Sequence, residues 1–348
     1  RNSQGVSEMT IVKNLIADQF GSHIGKYSER LRVTHGGETL AQAPLIHLES
    51  VSILSSGVSI SADALEACCE RGIPTYFIDS RGVPYASVYA SGLTGTVITR
   101  REQLRAYDDK RGVDLALAFA AGKIQNQAIT LKYLAKNRMD TPEGPILQGC
   151  SVEVLEHTVW IDKLKGADQV EEIRERLMGA EGNAAQVYWQ GVRLILPQHY
   201  GWTSREGRGA TDPINSLLNY GYGILYGQIE RAIVLAGLDP FAGYIHADRP
   251  GKPSLVLDLI EEFRQVGVDR VVFGLVNRDF KVSQDERFRL SEDTRRSFAA
   301  HILEHFESPV RYNQQKVPLR HAIQTQAREV AAFVRGDREA YVPFKAGW

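Results

Sequence analysis

The chain has 348 residues, 43% hydrophobic and 24% charged, with 41 basic against 42 acidic side chains and a net charge of −1. That balance supplies apolar material for more than one core and excludes a disordered or low-complexity scaffold. No apolar run approaches the ~20 residues of a membrane-spanning helix, and near-neutral charge excludes a grip on nucleic acid through bulk positive charge, although a net value hides local basic surface.

The opening stretch, Arg1 to Glu8, is polar and patternless. It reads equally as a tag scar or as a linker from an upstream domain. A strand-like run begins at Met9. Short β-rich runs follow at Ile11-Val12, 31–33, 51–54, 58–60, 75–78 and 87–89, punctuated by Gly36-Gly37, Gly57, Gly72 and Arg81-Gly82-Val83-Pro84. One helix is expected over 62–71, with Leu65 and Cys68-Cys69 on its apolar side and Gly72 as its stop. The three cysteines, Cys68, Cys69 and Cys150, are too few for a disulfide framework and lack zinc-site spacing. They suit core packing in a reducing, cytoplasmic setting.

From about Arg101 the apolar period changes to 3.6. Leu115, Leu117, Phe119, Ala120 and Ile124 open a long helix that continues through Ile129, Leu131, Tyr133 and Leu134. Further helices are predicted at 170–178, 180–194, 213–236, 254–263, 293–306 and 318–334. Asp212-Pro213 is an N-cap followed by proline at the first helical position, and Gly237 closes that helix. The expected class is α+β. Residues 9–95 form a small β-rich domain, and 96–348 an all-helical domain that carries the chemistry.

Three stretches hold chemistry-bearing residues. The first runs from Gly243 through His246 and Ser254 to Asp258, Glu261, Glu262 and Arg264. Ser254 is placed to cap the helix that follows. At ~100° per residue, Asp258, Glu261 and Glu262 form an acidic ridge whose members repel at helical spacing. That ridge reads as a solvated face, or, with His246, as a site for Mg²⁺ or Mn²⁺ near phosphate. The second stretch carries Glu181 before Tyr188-Trp189. Glu181 stands at the start of a predicted helix, where interaction with the dipole would suffice to explain it. The third is Asp212-Pro-Ile-Asn215-Ser-Leu-Leu-Asn219-Tyr220-Gly221-Tyr222. Two asparagines on one helix face there imply hydrogen-bonding work, to another element or to substrate.

Together these stretches carry a resemblance. A Gly-x-Glu-Gly segment followed by Tyr-aromatic, an Asp-Pro-x-Asn-x-Leu-Leu-Asn-Tyr-Gly-Tyr helix, and a Gly-Tyr-x-His loop leading to Ser-Leu-Val-x-Asp-Leu-x-Glu-x-Phe-Arg resemble the CRISPR spacer-integrating nuclease family. This is the larger subunit of the CRISPR adaptation machinery. Each motif is weak alone; in this order, over nearly the whole chain from Met9, they are specific. Gln265 departs from the proline common after the Phe-Arg pair.

The resemblance implies a homodimeric, metal-dependent DNA endonuclease and integrase. Such an enzyme inserts captured DNA fragments as spacers by transesterification, with Mg²⁺ or Mn²⁺ held by Glu181, His246 and the Asp258/Glu261 pair. Which member of that pair is the direct ligand stays open. The implied partners are double-stranded and branched DNA and a small ferredoxin-like adaptation protein. In some members a RecB-like nuclease domain or a reverse transcriptase is fused upstream. Arg249, Lys252 and Arg264 are candidate phosphate clamps, and Tyr188, Tyr222, Asn215 and Asn219 candidate DNA contacts, each with surface or core packing as the competing reading. Two other functions use the same residues: a metal-dependent hydrolase of a small phosphorylated substrate, and a non-catalytic DNA-binding scaffold.

Overall fold

The computed structural model describes residues 12–79, 81–89, 97–207 and 209–347. Arg1 to Glu8, the expected strand residue Ile11 and the expected boundary at 95 lie outside them. The chain divides into two compact units, Arg1–Leu93 and Thr94–Trp348.

The first unit is strand-rich. In chain order it holds β1 (Asn14–Ala17), β2 (His23–Tyr27), β3 (Arg30–His35), β4 (Glu38–Pro44), β5 (Ser50–Ile53), β6 (Ser59–Ile60), α1 (Ala62–Glu70), β7 (Thr75–Ile78) and β8 (Pro84–Val88). The strands make two four-stranded sheets, ordered β1-β5-β7-β8 and β4-β3-β2-β6. In the first, β1 pairs parallel with β5 and β5 with β7, while β8 closes the edge antiparallel. Leu15, Ile24, Leu31, Val33, Val51, Ile53 and Ile73 bury against Ala64, Ala67 and Cys68 of α1. The apolar side of α1 is therefore Ala64, Ala67 and Cys68, with Leu65 and Cys69 only half-buried. Ser61 caps its start and Gly72, at φ +65°, ends it.

The second unit is mostly helical: α2 (Val97–Tyr107), α3 (Lys110–Lys136), α4 (Glu143–Glu156), α5 (Thr158–Asp162), α6 (Arg174–Arg193), α7 (Pro213–Leu235), α8 (Ser254–Leu259), α9 (Arg270–Val276), α10 (Glu292–Glu307) and α11 (Leu319–Val334). It is not all-helical. A hairpin of β9 (Pro309–Tyr312) and β10 (Gln315–Pro318) separates α10 from α11. Its turn residues, Asn313 and Gln314, both have positive φ, the twist a two-residue hairpin turn needs.

α3 runs through this unit, with Val113, Leu115, Ala116, Phe119, Ala120, Ile124 and Leu131 fully buried, and packs on α4, α6 and α2. α7 packs on α11 and α10. Its start follows the expected chemistry, with Asp212 accepting from the Asn215 N–H and proline in the first turn. Two expected helices, 170–178 and 180–194, are one continuous α6 preceded by a 3₁₀ turn (Val170–Glu172). The expected helix 254–263 is instead interrupted: α8 gives way to a 3₁₀ turn (Ile260–Glu262) and then a π-helical turn (Gln265–Asp269) before α9. Among the described residues no helix is long and apolar enough to cross a membrane.

Candidate active site

α3 carries a lysine on its buried stripe. Lys123 falls three and seven residues after buried Ala120 and Ala116, so the helix turns its amine toward neighbouring elements. The Lys123 side chain is 13% exposed, and its Nζ pairs with Glu181 of α6 and lies 2.8 Å from Glu261 Oε2. Burial alone would lower the pKa of this amine, but the charges of Glu261 and Glu181 override it and hold it above its ordinary value. Burial likewise pulls the Glu261 carboxyl upward. Arg264, Lys123 and the His246 ring more than reverse that and leave it well below the usual carboxylate range.

Glu181 is not at a helix start. It sits in the second turn of α6, past the reach of the dipole, and its carboxylate is used laterally on Lys123.

The His246 loop is built around Asp258. This carboxylate is fully buried. Its Oδ2 accepts the N–H groups of Tyr244 at 2.6 Å and Ile245 at 3.1 Å, while Oδ1 accepts the His246 N–H at 3.0 Å and lies 2.7 Å from His246 Nδ1. Asp258 is thereby committed to shaping the loop and orienting the ring. His246 Nε2 makes no hydrogen bond among the described residues. The loop is held at its root from both sides. Gln103 of α2 donates to Asp239 O at 2.9 Å and Ala242 O at 2.8 Å, and Arg174 of α6 donates to Ile245 O at 3.0 Å. Gly243 is required by closeness, since a Cβ there would stand 2.6 Å from the Ser254 carbonyl carbon and 2.8 Å from Asp258 Oδ2.

Ser254 does not cap α8. Pro253 occupies the cap position, and Ser254 Oγ instead accepts from the Gly243 N–H at 2.9 Å and bonds Asp248 at 3.0 Å.

The acidic ridge is neither solvated nor a ridge. Asp258, Glu261 and Glu262 are all buried, and the 3₁₀ turn at Ile260 breaks the 100° progression that would align them. Asp258 faces the loop and Glu261 faces Lys123 and Arg264. Glu262 turns away and accepts Tyr341 Oη and the Phe344 N–H, each at 2.7 Å. Burial pushes its carboxyl up to about 8 in spite of those bonds. Asn126 of α3 fixes the same segment by donating to Glu262 O at 2.8 Å and Phe344 O at 2.9 Å.

The remaining expected contacts are distributed differently. Arg249 and Lys252 lie at the turn beyond His246, Arg249 exposed and Lys252 partly so. Arg264 is engaged internally: its Nε is 3.1 Å from Glu261 Oε1, and its guanidinium lies 4.6 Å over the Tyr222 ring. Tyr188, Tyr222 and Asn215 are buried, so their expected place against DNA is replaced by internal roles. Tyr188 donates to Asp269 Oδ2 at 2.8 Å, and Tyr222 donates to Oδ1. Burial lifts the Asp269 carboxyl to about 6 against the pull of these two hydroxyls. Asn215 accepts the Glu206 N–H at 3.0 Å and donates to Ser204 O at 2.8 Å. Partly exposed Asn219 accepts Arg205 Nη2 at 2.6 Å. The two asparagines therefore seat the 204–207 segment, whose Arg205 lies 5.3 Å over Tyr222.

Lys123, Arg205 and Asp269 were not among the residues expected from sequence. Lys123 had a signal, a lone lysine on an otherwise apolar helical stripe.

Among the described residues no three His, Cys, Asp or Glu side chains close on one point as a ready metal cage. The donor set nonetheless suits a hard divalent ion: two carboxylates already meet on one cationic group, and an imidazole acts on one of them.

The profile of the family described as CRISPR associated protein Cas1 matches residues 15–304. A CRISPR-associated endonuclease Cas1 from Archaeoglobus fulgidus is 36% identical, over 96% of this chain and 99% of that protein. Among solved structures, a casposase bound to integration product superposes with a TM-score of 0.79 at 21% identity, covering 95% of this chain and 93% of that one. The chain of a Cas6-RT-Cas1–Cas2 complex gives 0.74 at 21% identity, covering 99% of this chain and 37% of that one.

Proposed function

This chain belongs to the CRISPR-associated Cas1 family, and from that premise we propose that it is a metal-dependent DNA endonuclease and integrase that inserts captured fragments into a CRISPR array. The observation that carries the site assignment is the meeting of Glu181 and Glu261 on one buried cation, beside the Asp258–His246 pair. Glu181, Glu261 and His246 Nε2 would hold Mg²⁺ or Mn²⁺. Of the Asp258/Glu261 pair, Glu261 is the ligand. Asp258 has spent both oxygens on the loop and the ring, and acts by fixing which imidazole nitrogen is offered. A divalent ion bound there supplies Lewis acidity toward a phosphate oxygen.

In the reaction, the 3′-hydroxyl of a fragment attacks a phosphodiester at the repeat edge. One P–O bond forms as another breaks, and the proton lost by the attacking oxygen is made up on the departing 3′-oxygen. Water in place of the hydroxyl gives nicking by the same geometry. Lys123 and Arg264 place two positive charges beside the carboxylates, and a Lys123 amine freed from them is positioned to neutralise a phosphate oxygen.

A like fold within a Cas6-RT-Cas1–Cas2 complex supports a small ferredoxin-like partner of the Cas2 kind and the use of fused upstream modules. A homodimer is proposed on family grounds. The test is integration of labelled fragments into a supercoiled repeat-bearing plasmid, with Mn²⁺ or chelator. His246→Ala is expected to lose strand transfer and keep fragment binding. Normal integration by that variant would overturn the assignment.

A further inference from the structure

A cavity of about 490 Å³ opens in the helical unit where the end of α3 meets α9 and α10. Its walls carry Arg138, Arg270, Arg278, His301 and His305 against a single acid, Glu304. On a chain of net charge −1, three arginines against one glutamate make a cationic patch. Arg138 gives one N–H to Leu134 O at 3.1 Å, and Arg278 gives one to Gly274 O at 2.9 Å. Neither has a carboxylate within ion-pair distance among the described residues. A guanidinium has five N–H donors, so each keeps most of its fork for a ligand. His301 Nδ1 is 2.8 Å from Ser297 O, and Arg270 lies 4.9 Å over the Tyr133 ring, which with it forms a flat, cationic wall.

The cleft is separate from the carboxylate site. Leu134, in its wall, follows Lys123 by three turns of α3, roughly 17 Å along the helix axis, and the intervening Gln127, Thr130 and Leu131 are buried. Capping of helix C-termini accounts for one N–H of each arginine and for nothing that lines the cavity opposite them.

We propose that this cleft is a second phosphate-binding site, which holds the backbone of a single DNA strand. The shared chemistry is a phosphate anion. The choice of a strand over a free phosphate rests on the DNA reading above, and a pocket of this size admits a splayed strand and not a duplex.

The test is fluorescence anisotropy of labelled (dT)12 with the full chain in chelator, across a salt series. Wild type is compared with Arg138→Gln/Arg278→Gln and with Arg138→Lys/Arg278→Lys. The glutamine pair should weaken binding at least tenfold at low salt. It should also flatten the log–log salt slope by about 1.4, since each single-strand phosphate that is no longer neutralised takes about 0.7 from it. The lysine pair should keep the slope, and single Arg138→Gln and Arg278→Gln, each expected to take about 0.7 from it, carry the test if the double glutamine variant fails to fold. An unchanged slope in the glutamine pair overturns the proposal. So does equal loss on a blunt duplex, or loss of inorganic phosphate binding with (dT)12 affinity intact. Glu181→Gln, assayed for Mn²⁺-dependent nicking in parallel, reports on the carboxylate site alone, so the two readings fail separately.

Discussion

Replacing Lys123 with methionine keeps the length of the side chain and removes the charge on which Glu181 and Glu261 converge. The Lys123 side chain is 13% exposed, and those of Glu181 and Glu261 are 16% and 5% exposed, so water does little to compensate. Stripping one partner from a buried ion pair costs about 3–5 kcal/mol. Glu261 keeps Arg264 at 3.1 Å, which argues for the lower end, about 3 kcal/mol. At roughly 2–4 °C per kcal/mol for a unit of this size, the variant should melt about 6–12 °C below wild type in chelator. A divalent ion at 100 times its Kd returns about 2.7 kcal/mol, nearly the whole deficit. In wild type the same ion must first displace the amine, so its stabilisation should be smaller. Calorimetry of both proteins with chelator and with Mn²⁺ reads all four values. A variant that melts with wild type in chelator, or equal Mn²⁺ shifts in the two proteins, would refute the reasoning.

Asp258→Asn should lower strand-transfer rate and Mn²⁺ affinity together by about 10–100-fold, as loss of a ligand-orienting partner does; unchanged Mn²⁺ affinity by titration calorimetry counts against its role behind His246. Asp269 gives a pH signature. With a folded carboxyl at about 6 against the ordinary 3.8, its contribution is fully present below pH ~4 and is lost as pH rises through about 6. That amounts to about 1.4 kcal/mol between pH 5 and 7.5. Urea unfolding at both pH values should show this fall in wild type beyond that in Asp269→Asn, and parallel behaviour would rule it out. Gly243→Ala must move the loop away from α8, because its Cβ would lie 2.6 Å from the Ser254 carbonyl carbon. It should cost about 1–3 kcal/mol and reduce nicking far more than melting; an active variant would mean that the loop tolerates the shift.

Where local chemistry decides, the chain was readable in advance. Asp212, Pro213 and Gly237 bracket α7 because each acts on its own backbone. β2 and β4 were missed because His23–Tyr27 and Glu38–Pro44 are not rich in β-branched residues and are strands through pairing with β3. The β9–β10 turn uses Asn313-Gln314 in place of glycine and so carried no glycine signal. In the site, Glu181, His246 and the Asp258/Glu261 pair were legible as motif. The contacts each one makes were not, because they depend on a lysine 58 positions before Glu181 and on a break in helical phase at Ile260. Burial of all three acids is likewise a property of the packed unit.

The back-to-back placement of Glu261 and Glu262 has a consequence for synthesis. Glu262 is gripped by Tyr341 and the Phe344 N–H, and Asn126 accepts the Ala346 N–H at 2.8 Å. The turn that aims Glu261 is thus clamped between an early helix and residues translated some eighty positions later. A nascent chain can therefore bring α3, α6 and α7 together before this turn gains its rear clamp, which waits for residues 341–346 to emerge.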